Sequence, residues 1–317
     1  VGQVTHAPGT YESTYRLVTT KGATSAIRTG VDWVYGRGLE RRILADAPDV
    51  VVSTFPMTTS ALGSLKRAGK IDVPVVAAAI DANAHAMWFA RGIDQHVVFN
   101  PRDAQRAAQL SVRDATLHGI EVTATRPPVD ARLAESVDVA AVRKSFNLPV
   151  DRPVVLVTGG SLGLVIPPED IARLHAQTGA TIAVATGRNE ALYRELAAAY
   201  PNGEVVPIPF TSEMPSLLKS VDAMIANAGG MTTYESFAAG TPVLFYKPLP
   251  GHGVDAARAL ASDGLATIAD DADTLAASIR DIFAHRGAAS GTAAAASSLF
   301  ALPAGMSDAV IGAAALR

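Results

Sequence analysis

The sequence predicts an α/β protein of two doubly wound domains, each a parallel sheet with helices on both faces. Three observations support this. From about residue 39 onward, short β-branched segments alternate with Ala-rich and Leu-rich helical patterns. The chain has 317 residues, about twice the usual size of a domain. Near the middle, Pro127 and Pro128 favour an extended connector over a helix. We therefore expect one domain at residues 1–128 and the other at residues 129–317.

The predicted strands and helices alternate along the chain. The predicted strands are residues 49–54, 73–80, 96–99, 154–158, 181–185, 205–208, 223–226 and 243–246. The predicted helices between them include residues 58–68, 101–110, 169–178, 190–199 and 231–239. Ligands of doubly wound sheets bind beyond the carboxyl ends of the strands, and the cleft between two domains is the usual site. The segments that follow the strands are therefore the candidate functional segments.

Composition and charge exclude several classes of function. Hydrophobic residues make up 49% of the chain and charged residues 18%, as in compact globular proteins. The net charge of −3 argues against nucleic acid as the main partner, because phosphate-binding surfaces carry a basic excess. The absence of cysteine excludes thiol catalysis, disulfides and Cys-ligated zinc. Since no apolar run reaches about 18 residues, we expect a cytoplasmic protein whose contact with a membrane, at its inner face, is at most peripheral.

The first segment that can bind a ligand follows the strand at residues 154–158. It contains Gly159, Gly160 and Ser161. Glycines after a buried strand let backbone N–H groups approach a phosphate or sugar closely, and a neighbouring hydroxyl can donate a further hydrogen bond. Ordinary strand-to-helix turns contain the same residues, so this segment alone leaves both interpretations open.

The second segment follows the strand at residues 223–226 and opens a helix. Its candidate ligand-binding residues are Asn227, Ala228, Gly229, Gly230, Thr232 and Glu235. Free N–H groups and the helix dipole favour a bound anion where the helix begins. Glu235, one turn further, can accept hydrogen bonds from ribose hydroxyls, as acidic residues do in nucleotide sites. The alternative is a helix that serves only packing, with Glu235 merely solvated.

The third segment is the polar loop that follows the strand at residues 243–246. Gly251, His252 and Asp255 lie in it, and the two polar side chains could face sugar hydroxyls. A single histidine in a loop is more often only exposed. The functional interpretation of this loop therefore depends on its neighbours.

In this order, the three segments resemble the C-terminal domain of GT-B glycosyltransferases, in the family that contains the bacterial lipid-linked N-acetylglucosaminyltransferase of peptidoglycan synthesis, monogalactosyldiacylglycerol synthases and processive diacylglycerol glucosyltransferases. The resemblance covers residues 153–269 and includes two further segments, residues 185–189 and 209–214. In the family, the second of these contacts uracil through its backbone and packs a methionine on the base. The resemblance therefore adds five residues to the predicted donor site: Gly187, Arg188, Phe210, Thr211 and Met214.

The N-terminal half resembles the acceptor domain of the diacylglycerol glycosyltransferase branch more loosely, through residues 48–56 and through Asp81, His85 and Trp88. Asp81 and His85 are the candidates for the catalytic base, although strand ends and a buried tryptophan would give the same pattern. The family's first unit, a strand, a glycine-rich loop with histidine and a helix, has no counterpart before Tyr11. We therefore expect a chain that is truncated or has an unusual N-terminal domain.

The resemblance implies an inverting transfer of a sugar from a UDP-sugar to a hydroxyl of a lipid, such as diacylglycerol, or of a small molecule. No metal and no cofactor is expected, because the helix start at residues 229–232, with Ser161 and Arg188, would stabilise the leaving diphosphate. Family members commonly carry Gln or Glu and then Asn where His252 and Asp255 stand, so the sugar is not identified. A UDP-sugar 2-epimerase of the same fold and a non-catalytic nucleotide-sugar-binding protein are the alternatives.

Overall fold

The computed structural model describes residues 23–114, 117–159, 166–227, 229–285 and 291–315. They form two compact units. The first comprises the described parts of Val1–Pro128, Pro250–His252 and Leu299–Arg317, and the second comprises those of Val129–Leu249 and Gly253–Ser298. The chain thus passes from the first unit to the second after the proline pair and returns to the first unit near its end.

The elements of the described residues are as follows. The helices are α1 (Ala23–Asp46), α2 (Pro56–Arg67), α3 (Pro101–Arg113), α4 (Val139–Ser145), α5 (Pro168–Thr178), α6 (Glu190–Ala199), α7 (Met214–Ser220), α8 (Met231–Ala239), α9 (His252–Ser262), α10 (Ala272–Ala284), α11 (Gly291–Phe300) and α12 (Met306–Ala314). The strands are β1 (Val51–Ser53), β2 (Val75–Ala79), β3 (Gln95–Val98), β4 (Val122–Ala124), β5 (Val154–Thr158), β6 (Thr181–Gly187), β7 (Val205–Pro209), β8 (Ala223–Ala226), β9 (Val243–Tyr246) and β10 (Thr267–Ala269).

The sheet of the first unit is parallel, with strand order β1-β2-β3-β4. All five side chains of β2 are buried, as expected of a strand with helices on both faces. On one side α1 packs against α2, where Leu39 and Ile43 contact a cluster that contains Leu62 and Leu65. This packing leaves the opposite face of α1 exposed within the described part of the unit.

The sheet of the second unit is also parallel, with strand order β10-β9-β8-β5-β6-β7. The chain adds β6 and β7 on one side of β5, and β8, β9 and β10 on the other. The strand order therefore reverses next to β5, between the carboxyl ends of β5 and β8. In open α/β sheets ligands bind in the crevice at this point.

A buried polar network holds the amino ends of β5 and β8 together. One carboxylate oxygen of Asp222, just before β8, accepts hydrogen bonds from the backbone N–H of Val154 at 2.8 Å and from Arg143 at 3.0 Å. The Arg143 guanidinium also donates to the carbonyls of Ser220 at 2.7 Å and Arg152 at 3.0 Å. Since the two strands are fixed at one end, their carboxyl ends keep a constant register at the crevice.

The predicted α/β class with two parallel-sheet units is confirmed. Each predicted strand occurs within two residues of its predicted bounds, whereas the three-residue strands β4 and β10 were not predicted. The missing glycine-rich unit before Tyr11 falls outside the described residues. None of the described helices is both long and apolar enough to cross a bilayer.

Candidate functional site

A cavity of about 220 Å³ lies at the carboxyl ends of β5, β6 and β7 in the second unit. Its lining residues are Thr158, Ala185, Gly187, Pro209, Phe210, Thr211, Met214, Thr232 and Glu235. Most of these are residues that the sequence predicted for donor binding, contributed by three separate segments. The fold thus brings the segment after β6, the segment after β7 and the start of α8 to one cavity.

One wall of the cavity joins the ends of β6 and β7. The pairing of the two strands shifts register between Ala185 and Gly187, and Gly187 has φ of +56°, a left-handed conformation that favours glycine. The carbonyl of Gly187 accepts the backbone N–H of Phe210 at 2.9 Å. Beyond this point the guanidinium of Arg188 lies over the Phe210 ring, with its carbon 5.0 Å from the ring centroid. The wall therefore ends in an aromatic ring with a cation on it.

The Phe210 side chain is 58% exposed, which is unusual for a large apolar group beside a cavity. After it, the Thr211 hydroxyl accepts the backbone N–H of Glu213 at 3.0 Å, and Met214 begins α7 at the cavity. Aromatic rings and guanidinium groups stack on the flat faces of nucleobases, and thioethers pack on them. This wall has the chemistry of a base-binding surface.

The start of α8 forms another part of the site. Its N-cap is Gly230, which has no side chain to bond the first-turn N–H groups, and a Cβ at Gly230 would meet nothing within 4 Å. Thr232 in the first turn lines the cavity. Uncapped N–H groups and the helix dipole make such a helix start favourable for an anion.

Glu235 lies one turn further along α8 and also lines the cavity. Burial raises the pKa of its carboxyl, and the negative charge of Asp130 raises it further. The side chain is only partly exposed, so it is not the fully solvated residue of the packing-helix alternative. A carboxylate at a cavity can bind two neighbouring hydroxyl groups.

Other predicted donor-site residues precede α8 or follow β5. Asn227 is buried at the end of β8, its carbonyl accepts the backbone N–H of Leu249 at 2.7 Å, and Gly229 and Gly230 lead into α8. Gly159 follows β5 directly. Gly160, Ser161 and Ala228 lie outside the described residues.

The predicted sugar loop is partly a helix. His252 begins α9, and Asp255 lies in its first turn, whereas the sequence predicted a polar loop through both residues. The helix can start there because Gly251, with φ of +76°, turns the chain after β9. Pro250–His252 pack with the first unit and Asp255 belongs to the second. This helix was not predicted because its start lies in a loop of prolines and glycines, where Asp255 was assigned to the sugar instead of to the first turn.

The candidate bases Asp81 and His85 follow β2 in the first unit. The Trp88 indole N–H donates to Asp81 at 3.1 Å, so the buried Trp88 also orients this carboxylate. Burial raises the pKa of Asp81, while the charge of His252 and the Trp88 hydrogen bond partly offset this rise. The Nδ1 atom of His85 accepts the backbone N–H of Met87 at 3.3 Å, which places the proton of a neutral ring on Nε2.

Asp103 holds the segment between the two candidate bases and was missed by the sequence reading. Its buried carboxylate accepts the backbone N–H groups of Asn83 at 3.1 Å and Ala84 at 3.2 Å. Asn83 has φ of +69°, a conformation that the Asp103 contact helps to maintain. Asp103 lies in the first turn of α3, where an acidic residue is also expected for helix stability alone, so no sequence signal marked its second role.

No group of three or more His, Asp or Glu side chains that could hold a metal ion occurs among the described residues. The metal-free mechanism therefore stays a prediction.

Two family models match the chain. Residues 2–121 match the model of monogalactosyldiacylglycerol (MGDG) synthase, and residues 154–304 match the glycosyltransferase family 28 C-terminal domain. Each half of the chain thus matches a glycosyltransferase family model. The first match lies in the N-terminal half that resembled the acceptor domain, and the second contains the predicted donor segments. The family recognised from the sequence motifs is confirmed.

Curated proteins similar to this chain include processive diacylglycerol beta-glucosyltransferases. The protein of Bacillus subtilis (strain 168) is 25% identical over 240 residues, which cover 75% of this chain and 61% of the relative. The protein of Bacillus pumilus (strain SAFR-032) is 26% identical over 217 residues, which cover 67% of this chain and 55% of the relative. The matches thus span about three fifths of the length of these relatives.

Solved structures show the same fold at low sequence identity. MurG of Acinetobacter baumannii has a TM-score of 0.53 at 18% identity, with 87% of this chain and 75% of MurG covered. Arabidopsis thaliana UGT89C1 in complex with UDP has a TM-score of 0.61 at 14% identity, with 98% of this chain and 82% of that chain covered. The GT-B fold predicted from the sequence is therefore confirmed.

Proposed function

We propose that the protein transfers a hexose from a UDP-sugar to an acceptor hydroxyl with inversion at the anomeric carbon. The observation that carries this proposal is the convergence of three binding chemistries at one cavity. Phe210 and Met214 suit a nucleobase, Glu235 suits a ribose, and the start of α8 suits a diphosphate. Matches to glycosyltransferase family models over both halves of the chain support the same assignment.

The leaving diphosphate defines what the protein must stabilise. As the bond to the anomeric carbon breaks, negative charge develops on the diphosphate oxygen that is released. In the proposed mechanism the N–H groups at Gly230 to Thr232 and the dipole of α8 bind this charge, assisted by Ser161 and Arg188. The N–H groups at the start of α8 are fixed by the fold before the reaction, so in this mechanism departure requires no metal ion.

Asp81 is the better candidate for the base that takes the proton from the acceptor hydroxyl. Its burial raises its pKa toward the range in which a general base works well, while the tryptophan N–H orients it. His85 is less suited because its Nδ1 lone pair already accepts a backbone N–H. With the hydroxyl deprotonated, its oxygen attacks the anomeric carbon from the face opposite the diphosphate, which inverts the configuration.

A lipid such as diacylglycerol is the proposed acceptor, since the curated relatives are diacylglycerol glucosyltransferases. An enzyme that glycosylates a lipid works at a membrane surface, and α1 offers a face suited to one. Trp33, Val34 and Leu44 are exposed on this helix, and the Arg37 guanidinium lies 6.0 Å from the Trp33 ring centroid. Exposed aromatic and aliphatic groups beside arginines bind at the lipid headgroup boundary.

Two acidic residues of α1, Asp32 and Glu40, bond to residues on or just after α2. Asp32 bonds the hydroxyls of Ser60, at 3.1 Å, and Ser64 on α2, so its charge is turned away from solvent. Glu40 pairs with Lys70 at 3.4 Å. The exposed part of α1 then carries the apolar side chains with Arg37 and Arg41, and with Arg42, which pairs with Asp46. We propose that this basic and apolar surface docks on the anionic lipids of the inner, cytoplasmic leaflet.

The function is tested by incubating the protein with diacylglycerol vesicles and radiolabelled UDP-glucose or UDP-galactose. The expected product is a glycolipid, with release of UDP and an inverted anomeric centre by NMR. The Asp81→Asn variant should bind UDP normally and lose at least about a hundredfold in turnover, as expected for loss of a general base. Epimerised UDP-sugar, or UDP binding without any product from either donor, would contradict the proposal.

A further inference from the structure

The turn between the proline pair and α4 lies against both helices that border the cavity. It is a short 3-10 turn, Ala131–Ala134, which packs against α7 and α8. The nitrogen of Lys219 in α7 donates to the carbonyl of Leu133 at 2.8 Å, which fixes the turn to that helix. The turn therefore connects the element that supplies Met214 with the element that supplies Glu235.

Arg132 reaches from this turn to the segment between β7 and α7. Its guanidinium donates to the Ser212 carbonyl at 2.9 Å and to the Glu213 carboxylate at 3.1 Å. The Arg132 guanidinium also donates to the two oxygens of the Asp130 carboxylate, at 2.8 Å and 3.1 Å, which fixes the orientation of the planar group. Two bonds from a planar group to adjacent residues fix both the position and the orientation of that segment.

The residues that Arg132 holds are neighbours of two cavity residues. Thr211 precedes Ser212 and Met214 follows Glu213, and both line the cavity, whereas Arg132 is not among its lining residues. A shift of the Ser212–Glu213 backbone would therefore displace both the Thr211 backbone and the Met214 thioether. These are the groups expected to contact the base, so the position of the segment decides how well a particular base fits.

Arg132 also acts on the ribose side of the cavity. Its hydrogen bonds to Asp130 hold the pKa of that carboxyl below its ordinary value and compensate its charge. Asp130 in turn faces Glu235, and its charge is one cause of the raised pKa of Glu235. The Arg132 guanidinium thus contacts the Ser212–Glu213 segment on the base side of the cavity. It also compensates the charge of Asp130, which opposes ionisation of Glu235 on the ribose side.

We propose that Arg132 is a positioning residue for the nucleotide and that it sets the preference for uracil over other bases by fixing the Thr211–Met214 segment. This inference rests on the proposed UDP-sugar site. Arg132 lies outside the cavity and acts through Ser212 and Glu213. Discrimination between bases, and not overall affinity alone, therefore depends on Arg132.

The test compares Arg132→Gln with the matched control Lys219→Gln by calorimetric titration with UDP, CDP and ADP. Both variants loosen the same turn, but only the first releases the Ser212–Glu213 segment. For Arg132→Gln, UDP affinity should fall about tenfold and the preference for UDP over CDP should fall about fivefold, as expected for partly exposed charged hydrogen bonds. Lys219→Gln should keep the wild-type preference.

Two further variants keep the test decisive if Arg132→Gln folds poorly. Glu213→Gln keeps the Ser212 bond and should reduce the UDP preference by less than Arg132→Gln. Arg132→Lys keeps the positive charge but lacks the planar guanidinium group. Compared with Arg132→Gln, it should recover more of the UDP affinity than of the preference for UDP over CDP. An equal loss for all three nucleotides, or an unchanged preference in all Arg132 variants, overturns the inference. Failure of the wild-type protein to bind UDP would instead overturn the proposed function.

Discussion

The Arg188 guanidinium lies over the Phe210 ring although the two residues follow different strands, β6 and β7. The contact exists because the Gly187 carbonyl bonds the Phe210 backbone N–H, which holds the ends of β6 and β7 side by side. The Phe210 ring lies at the cavity and is more than half exposed. Burial of such a ring in the core would have been favourable. This arrangement is understandable if a ligand covers the ring when it binds.

Replacing Phe210 with leucine should weaken UDP binding about tenfold, because base stacking on an aromatic ring contributes about 1–3 kcal/mol. Isothermal titration calorimetry with UDP measures the effect. Tyr193→Leu removes an exposed aromatic residue of α6 that does not line the cavity, and it should leave the affinity unchanged. Equal UDP affinity in the Phe210→Leu variant and the wild type would exclude stacking on this ring.

Glu235→Gln should weaken UDP binding and at the same time stabilise the protein at neutral pH. The amide removes one of the two acceptor oxygens proposed for the ribose hydroxyls, so we expect about a tenfold loss of affinity. It also removes a buried group whose ionisation is unfavourable. UDP titrations and thermal unfolding of the same two proteins measure both effects.

The pH dependence of this stabilisation follows from the direction of the Glu235 pKa shift. The folded protein holds the proton more tightly than the unfolded chain, whose carboxyl has the ordinary value of 4.5. The free energy of unfolding of the wild type therefore falls as the pH rises from 4.5 through the folded pKa, and the loss is complete above it. The difference between Glu235→Gln and the wild type should be largest at pH 8 and shrink toward pH 4. A constant difference across this range would contradict the assigned pKa direction.

Arg143→Met should lower the free energy of unfolding by about 2–4 kcal/mol, because it leaves the partly buried Asp222 carboxylate without its cation and the carbonyls of Ser220 and Arg152 without their donor. Urea denaturation followed by circular dichroism measures this loss. Lys144→Met changes the neighbouring charge on the exposed side of α4 and should cost less than about 0.5 kcal/mol. If both variants lose the same stability, the Arg143 network does not hold β5 to β8.

The double variant Trp33→Ser, Leu44→Ser should bind phosphatidylglycerol vesicles about tenfold more weakly than the wild type, since two large apolar groups no longer enter the headgroup region. Vesicle co-sedimentation measures the binding. Val112→Ser removes an exposed apolar side chain from α3 in the same unit and serves as the control. Wild-type binding that is equally strong to phosphatidylcholine vesicles, or unaffected by the double substitution, would contradict docking through α1.

Local sequence patterns predicted much of the cavity. The strand end, the two glycines and the helix containing Glu235 are adjacent in the chain, so their arrangement follows from neighbouring residues. Phe210 was assigned to the same site as Glu235 through the family resemblance, and their meeting at one cavity agrees with strand ends of one parallel sheet lying at the same edge. The predicted roles of these residues, and of Asp81, His85 and His252, stay predictions until ligand binding is measured.

Contacts between distant segments could not be predicted from one sequence. Arg132 and Glu213 are 81 residues apart, and neither belongs to a glycine-rich or periodic pattern. Asp103 similarly bonds backbone N–H groups 19 and 20 residues before it. The exposed face of α1 also escaped prediction, because the partners of Asp32 and Glu40 lie on α2 or just after it and cannot be identified from one sequence.

All described residues that line the cavity come from one stretch of the chain, between Thr158 and Glu235. The described lining of the cavity is therefore encoded as a single continuous cassette. A chimera that takes this stretch from a relative with another donor would exchange the whole set of lining residues in one step. Extending the cassette upstream to Asp130 would carry Arg132 together with its matching Glu213, so that the exchanged segment arrives with the contacts that hold it in place.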